Sequence, residues 1–179
     1  MNKNVTTTLK PSDYNDSFGF YDHCDVARLL LTSKDLTSHL KHHIRGAVRE
    51  ATNKVTDLKG SGKNIASSIS KDAYERILSG ITTDLVLEHG VPVSYMNKLV
   101  LELTDVTTEN IAYIIAKWTT TSVITKEEDK RLNELKLYKT MPEDWDGENK
   151  FARYEAAGIE LIDKSYKDAI KEGKERGVL

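Results

Sequence analysis

Asp84-Leu85-Val86-Leu87-Glu88-His89-Gly90-Val91-Pro92-Val93-Ser94 is the stretch on which the fold turns. Leu85, Val86 and Leu87 form a short apolar run, with β-branched Ile81, Thr82 and Thr83 ahead of it, a composition that favours an extended strand. Gly90 and Pro92 then interrupt any regular element. Glu88 and His89 are therefore expected where the strand stops and the backbone turns. A carboxylate beside an imidazole at such a place suits metal binding and general-base chemistry.

Downstream, Tyr95, Met96, Leu99, Val100 and Leu103 recur at helical spacing. Thr107 or Thr108 caps a further helix that points Ile111, Ile114 and Ile115 inward. Thr119 to Thr125 is β-branched almost throughout and reads as a second strand. Thr125 and Glu128 then have the spacing of a capping box, opening a helix at Lys126. The centre of the chain thus reads strand, Glu-His turn, helical insertion, strand, helix.

Upstream, Val26, Leu29 and Leu30 mark one helix. A longer one follows from Ser33 or Asp35 to Asn53, with Leu36, Leu40, Ile44, Ala47, Val48 and Ala51 as its apolar stripe. Lys41, Arg45 and Arg49 lie at i, i+4 and i+8 on its other side, a basic face compatible with phosphate contacts. Residues 70–78 read as a short helix stopped by Gly80. Beyond Leu137, a loop with Pro142, Trp145 and Gly147 leads to a helix ending near Ala157. A charged helix over 159–175 closes the chain, and Trp118, Trp145, Phe151 and Tyr154 are packing anchors for this region.

These elements predict an α+β fold: a predominantly helical single domain with a small central two-stranded β element leading into a helix. Within it, 1–17 is a flexible lead-in, 18–80 a basic-faced helical segment, 81–135 the ββα-like core and 136–179 a C-terminal helical segment. The composition, 39% hydrophobic and 30% charged, is that of a soluble globular protein. No apolar run reaches the length that spans a bilayer, and the polar, Thr-rich start has no apolar signal core, so no membrane association and a cytoplasmic location are expected. With Cys24 as the single cysteine, an internal disulfide and a cysteine-built zinc site are excluded.

Three further motifs carry little chemistry. Gly60-Ser61-Gly62-Lys63 lacks the phosphate-binding pattern, because Asp57 stands where its first glycine belongs and Asn64 where Ser or Thr belongs. His39 and His43, at i and i+4 with His42 beside them, are placed to clasp a metal but have no intervening acid and no third ligand nearby. Cys24 beside His23 and Asp22 rarely has triad geometry as a sequence neighbour and reads as a partly buried thiol.

The central layout resembles the HNH, or His-Me finger, nucleases, whose ββα motif ends its first strand in an acid-His pair. Leu87-Glu88-His89-Gly90-Val91-Pro92-Val93-Ser94 is similar to that signature, with Glu for the usual Asp. Where family members carry a metal-binding His or Asn early in the following helix, Val123-Ile124-Thr125-Lys126-Glu127-Glu128-Asp129-Lys130-Arg131-Leu132 offers Asp129 or Glu128. The resemblance implies a divalent-metal-dependent endonuclease with His89 as general base, Glu88 and Asp129 as metal ligands and Glu128 in reserve. The ion would be Mg²⁺, with Mn²⁺ as the substitute, which carboxylates suit. Lys41, Arg45 and Arg49 would position a nucleic acid, DNA rather than RNA, and two fingers in a homodimer would cut two strands. From His89 to Asp129 is 40 residues, so a helical insertion must separate the two strands. The residues by themselves also fit a non-enzymatic helical regulatory or interaction protein, in which the Glu-His turn satisfies backbone amides and the acids at 127–129 answer a helix dipole.

Overall fold

Alternation along the central strands explains how the sheet is covered. The computed structural model describes residues 19–57 and 60–179; the expected lead-in over 1–17, and Leu58 and Lys59 of the glycine loop, lie outside them. The chain is α+β and mostly helical. Its described residues form two compact units, 19–55 with 97–117, and 56–96 with 118–179.

In the first unit, α1 (Phe20–Leu31) and α2 (Ser38–Asp57) are amphipathic helices. The buried side of α1 is Phe20, Cys24 and Ala27, while Val26 and Leu29 of the expected apolar set are exposed. Cys24 and Ala27 are small enough for this side of the helix to pack closely, with Phe20 filling its first turn. Along α2, Ile44, Ala47, Val48, Ala51 and Val55 are buried at the 3.6-residue period. The end of α4 (Val93–Leu101) and α5 (Thr108–Trp118) add Val100, Ile111, Ala112 and Ile115 to the buried set. Asp25 ties α1 to α5, accepting from Thr108 Oγ1 at 2.9 Å and from Arg28 at 2.8 Å.

The second unit holds a mixed sheet of β1 (Ser68–Ser70), β2 (Leu85–His89), β3 (Thr121–Thr125) and β4 (Leu161–Ile162), in the order β2-β3-β1-β4. β2 and β3 pair antiparallel over their whole length, from Leu85 opposite Thr125 to His89 opposite Thr121. β1 runs parallel to β3, and β4 antiparallel to β1. The sheet thus has four strands where two were expected. The added pair are two and three residues long, too short to show alternation in the sequence.

Leu85, Leu87 and Val123 face a cluster with Ile69, Ala73 and Ile77, joined by Ala169 and Ile170; these bring in α3 (Lys71–Leu78) and α8 (Tyr166–Glu175). Val86 and Ile124 face the other way, onto Leu132, Leu137, Tyr154 and Ala157, and so onto α6 (Lys126–Glu134) and α7 (Ala152–Ala156). Successive strand residues point to opposite faces, so each helical layer covers its own set of apolar side chains. Trp118, Trp145, Phe151 and Tyr154 pack as anchors: Trp145 meets Tyr95 and Trp118 edge-on at 5.2 Å, and Phe151 stacks on Tyr154 at 6.2 Å.

Candidate functional site

The Glu88-His89-Gly90 turn is built around one buried cation. Arg153, on α7, is fully buried. Its Nε donates to the His89 and Gly90 carbonyls at 3.1 and 3.0 Å, and Nη1 donates to the Leu137 carbonyl at 2.9 Å. Nη2 donates to the Glu88 carboxylate and again to the His89 carbonyl. A guanidinium has five N–H donors in a rigid fork, and here they fix the end of β2, the turn after it and the Leu137 loop together. Burying that charge demands a counter-charge and hydrogen bonds, which Glu88 and three carbonyls supply. Tyr154, next in sequence and also buried, has its phenol pushed up by burial and is held protonated.

Gly90 is required by the closeness of its neighbours. A Cβ there would stand 2.6 Å from both the Lys150 carbonyl oxygen and Thr120 Cγ2. Its amide donates to the Thr120 carbonyl at 2.9 Å, continuing the ladder one residue past His89.

The four residues expected to act on a metal are distributed as follows. Glu88 and His89 are the last two residues of β2, where the strand stops, and so point to opposite faces of the sheet. Glu88 shares its face with Val86 and the α6–α7 layer, where Arg153 holds it; His89 lies on the other face. Glu128 is buried at the opposite end of the strand pair, where its Oε2 accepts from the Thr125 amide at 2.7 Å and from Ser70 Oγ at 2.6 Å. Thr125 Oγ1 in turn accepts from the Glu128 amide at 3.1 Å, closing the expected capping box. Four residues of antiparallel ladder, roughly 13 Å, separate Leu85 beside this box from His89. Asp129 faces outward one residue on, with its carbonyl and carboxylate near Asn133 Nδ2 at 2.8 and 3.5 Å. Glu88, His89, Glu128 and Asp129 therefore do not converge. Among the described residues no three His, Cys, Asp or Glu side chains form a metal-holding group. The donor set does not fit a shared Mg²⁺ or Mn²⁺ ion, because two of its three carboxylates are spent on Arg153 and on a helix cap.

Lys41, Arg45 and Arg49 do stand together, exposed along one side of α2. None of them enters an ion pair with another described residue. Cys24 is buried in α1, and burial pushes its thiol up to about 12, which leaves no thiolate nucleophile near neutral pH. No described helix is long and apolar enough to cross a membrane.

Sequence reasoning missed Arg153. Its signal was indirect: an acid inside an apolar strand needs a buried partner, and Arg153 stands between the aromatic anchors Phe151 and Tyr154. Compared with family models, curated proteins and solved structures, the chain matches none.

Proposed function

We propose that this chain is a non-enzymatic interaction protein that engages nucleic-acid backbone through the α2 stripe, with the Glu88-His89 turn serving to hold the fold. The observation that carries this reading is the pairing of Glu88 with the buried Arg153, which commits the acid of the acid-His pair to structure. Lys41, Arg45 and Arg49, exposed and without an ion pair among the described residues, supply the contact, since phosphate neutralisation by such side chains needs neither a cleft nor a metal. Binding is read by fluorescence anisotropy of a labelled DNA duplex and an RNA hairpin across a salt series. The triple variant K41A/R45A/R49A is expected to bind more weakly and to lower the duplex salt slope by roughly two to three. Equal binding by the variant, or no binding by the wild type, overturns the proposal.

A metal-dependent nuclease is the second reading, and one observation favours it. β2 and β3 pair antiparallel across the helical insertion and α6 follows β3 directly, the ββα order of the HNH nucleases, with His89 at the end of the first strand. Plasmid and RNA cleavage assays with Mg²⁺ or Mn²⁺ separate the two. Cleavage that needs the ion and disappears in His89→Ala establishes the nuclease; its absence, with binding retained, leaves the non-enzymatic protein.

A further inference from the structure

We propose that His39 and His43 form a two-imidazole chelate for a borderline divalent transition ion, such as Zn²⁺ or Ni²⁺, on the exposed side of α2. The two residues are one turn apart, and their Nε2 atoms lie 3.1 Å from each other with the ring planes at 89°. Two nitrogens each about 2.0–2.1 Å from one ion stand roughly 2.9–3.4 Å apart for ligand angles between about 90° and 109°. The free side chains are thus already at the separation an ion imposes.

Both imidazoles are exposed, so coordination requires no opening of the core. In the neutral pair one Nε2–H donates to the other Nε2. On coordination that proton moves to Nδ1 of its own ring, and both Nε2 lone pairs bind the ion with no net proton released. Imidazole donors select Zn²⁺, Ni²⁺ or Cu²⁺ over Mg²⁺ or Ca²⁺, which prefer oxygen. His43 also lines a groove with Val26, Leu30, Gly46 and Glu50. At Gly46 a Cβ would meet nothing within 4 Å, so there is open space one turn beyond His43 for the ion's remaining ligands. With no third protein donor converging among the described residues, water or a small anion completes the shell.

The test is isothermal titration of the untagged full chain with ZnCl₂ and NiCl₂, with MgCl₂ as the control ion, alongside His39→Gln, His43→Gln and His42→Gln. One transition ion per chain is expected, with no heat from Mg²⁺. Each of H39Q and H43Q should weaken binding by at least about tenfold, while H42Q binds as the wild type does. The ion should raise the melting temperature of the wild type and H42Q but not of H39Q or H43Q. Unchanged circular dichroism in the variants ties any loss to the ligands. Undetectable Zn²⁺ and Ni²⁺ binding, or binding that survives in H39Q/H43Q, overturns the site.

Discussion

The guanidinium of Arg153 meets the carboxylate of Glu88 across 65 residues of sequence, and the guanidinium is fully buried while the acid keeps about a quarter of its surface. That asymmetry predicts unequal costs. Arg153→Met removes every donor from the Glu88, His89, Gly90 and Leu137 oxygens and strands the acid, which should cost about 3–5 kcal/mol. Glu88→Gln keeps a hydrogen-bond acceptor at the same place and leaves Arg153 its three carbonyls, but takes the counter-charge from a buried guanidinium, so its cost should be about 1.5–3 kcal/mol, below that of Arg153→Met. Urea unfolding of the two variants measures both, and equal destabilisation would contradict the arrangement.

Gly90→Ala should destabilise by about 1–3 kcal/mol through overpacking. The new methyl meets the Lys150 carbonyl and Thr120 Cγ2 at 2.6 Å, and a carbonyl on a neighbouring segment gives way less easily than a side-chain end. Thr120→Ser, which deletes that Cγ2, should recover only part of the loss in a thermal-melt comparison of the single and double variants. Full recovery would place the clash on the side chain alone.

The parts of this fold legible in the sequence were those with local signals. Thr125 and Glu128 announced a capping box that the structure contains, and the β-branched run before it is β3. Gly80, at φ 80°, ends α3 as its position suggested. The short β1 and β4 had no such signal; pairing to longer strands defines them, and Ser68-Ile69-Ser70 alone has no period to read. The arrangement around Glu88 and His89 was hidden for a related reason. Glu88 and His89 are adjacent in sequence, and a strand separates adjacent side chains onto opposite faces, so the motif by itself did not tell which neighbours each would meet. The basic stripe of α2 needed only helical periodicity to foresee, and it stands exposed as expected.

Glu128 is the link between β3, α6 and β1, and its removal should be felt at all three. Glu128→Ala takes the acceptor from the Thr125 amide and from the buried Ser70 hydroxyl, which itself caps α3 by accepting from the Ala73 amide at 3.1 Å. A lost cap costs about 1 kcal/mol and a stranded buried hydroxyl about 1–3 kcal/mol more. Ser70→Ala combined with Glu128→Ala should cost less than the sum of the single changes, because the two share one hydrogen bond. A double-mutant cycle by urea unfolding reads that coupling directly, and strict additivity would mean the bond contributes nothing.

Glu172 on α8 gives the fold a predictable acid limb. Its carboxylate accepts from Lys164 Nζ at 2.5 Å and from the Tyr74 hydroxyl at 2.7 Å, with Arg176 at 2.5 Å. The hydrogen bonds from Lys164 and then Tyr74 lower it to about 2, well below the ordinary glutamate value of 4.5. A carboxylate depressed in the folded state binds fewer protons there than in the unfolded chain, so its contribution is complete above about pH 4.5 and is lost as pH falls towards 2. Glu172→Gln cannot titrate. Its stability deficit relative to the wild type should therefore be largest at neutral pH and shrink steadily between pH 4.5 and 2. Denaturant melts of both proteins across that window measure it. A deficit that stays constant with pH would show that Glu172 titrates normally and that the Lys164–Glu172–Tyr74 contact does not persist in solution.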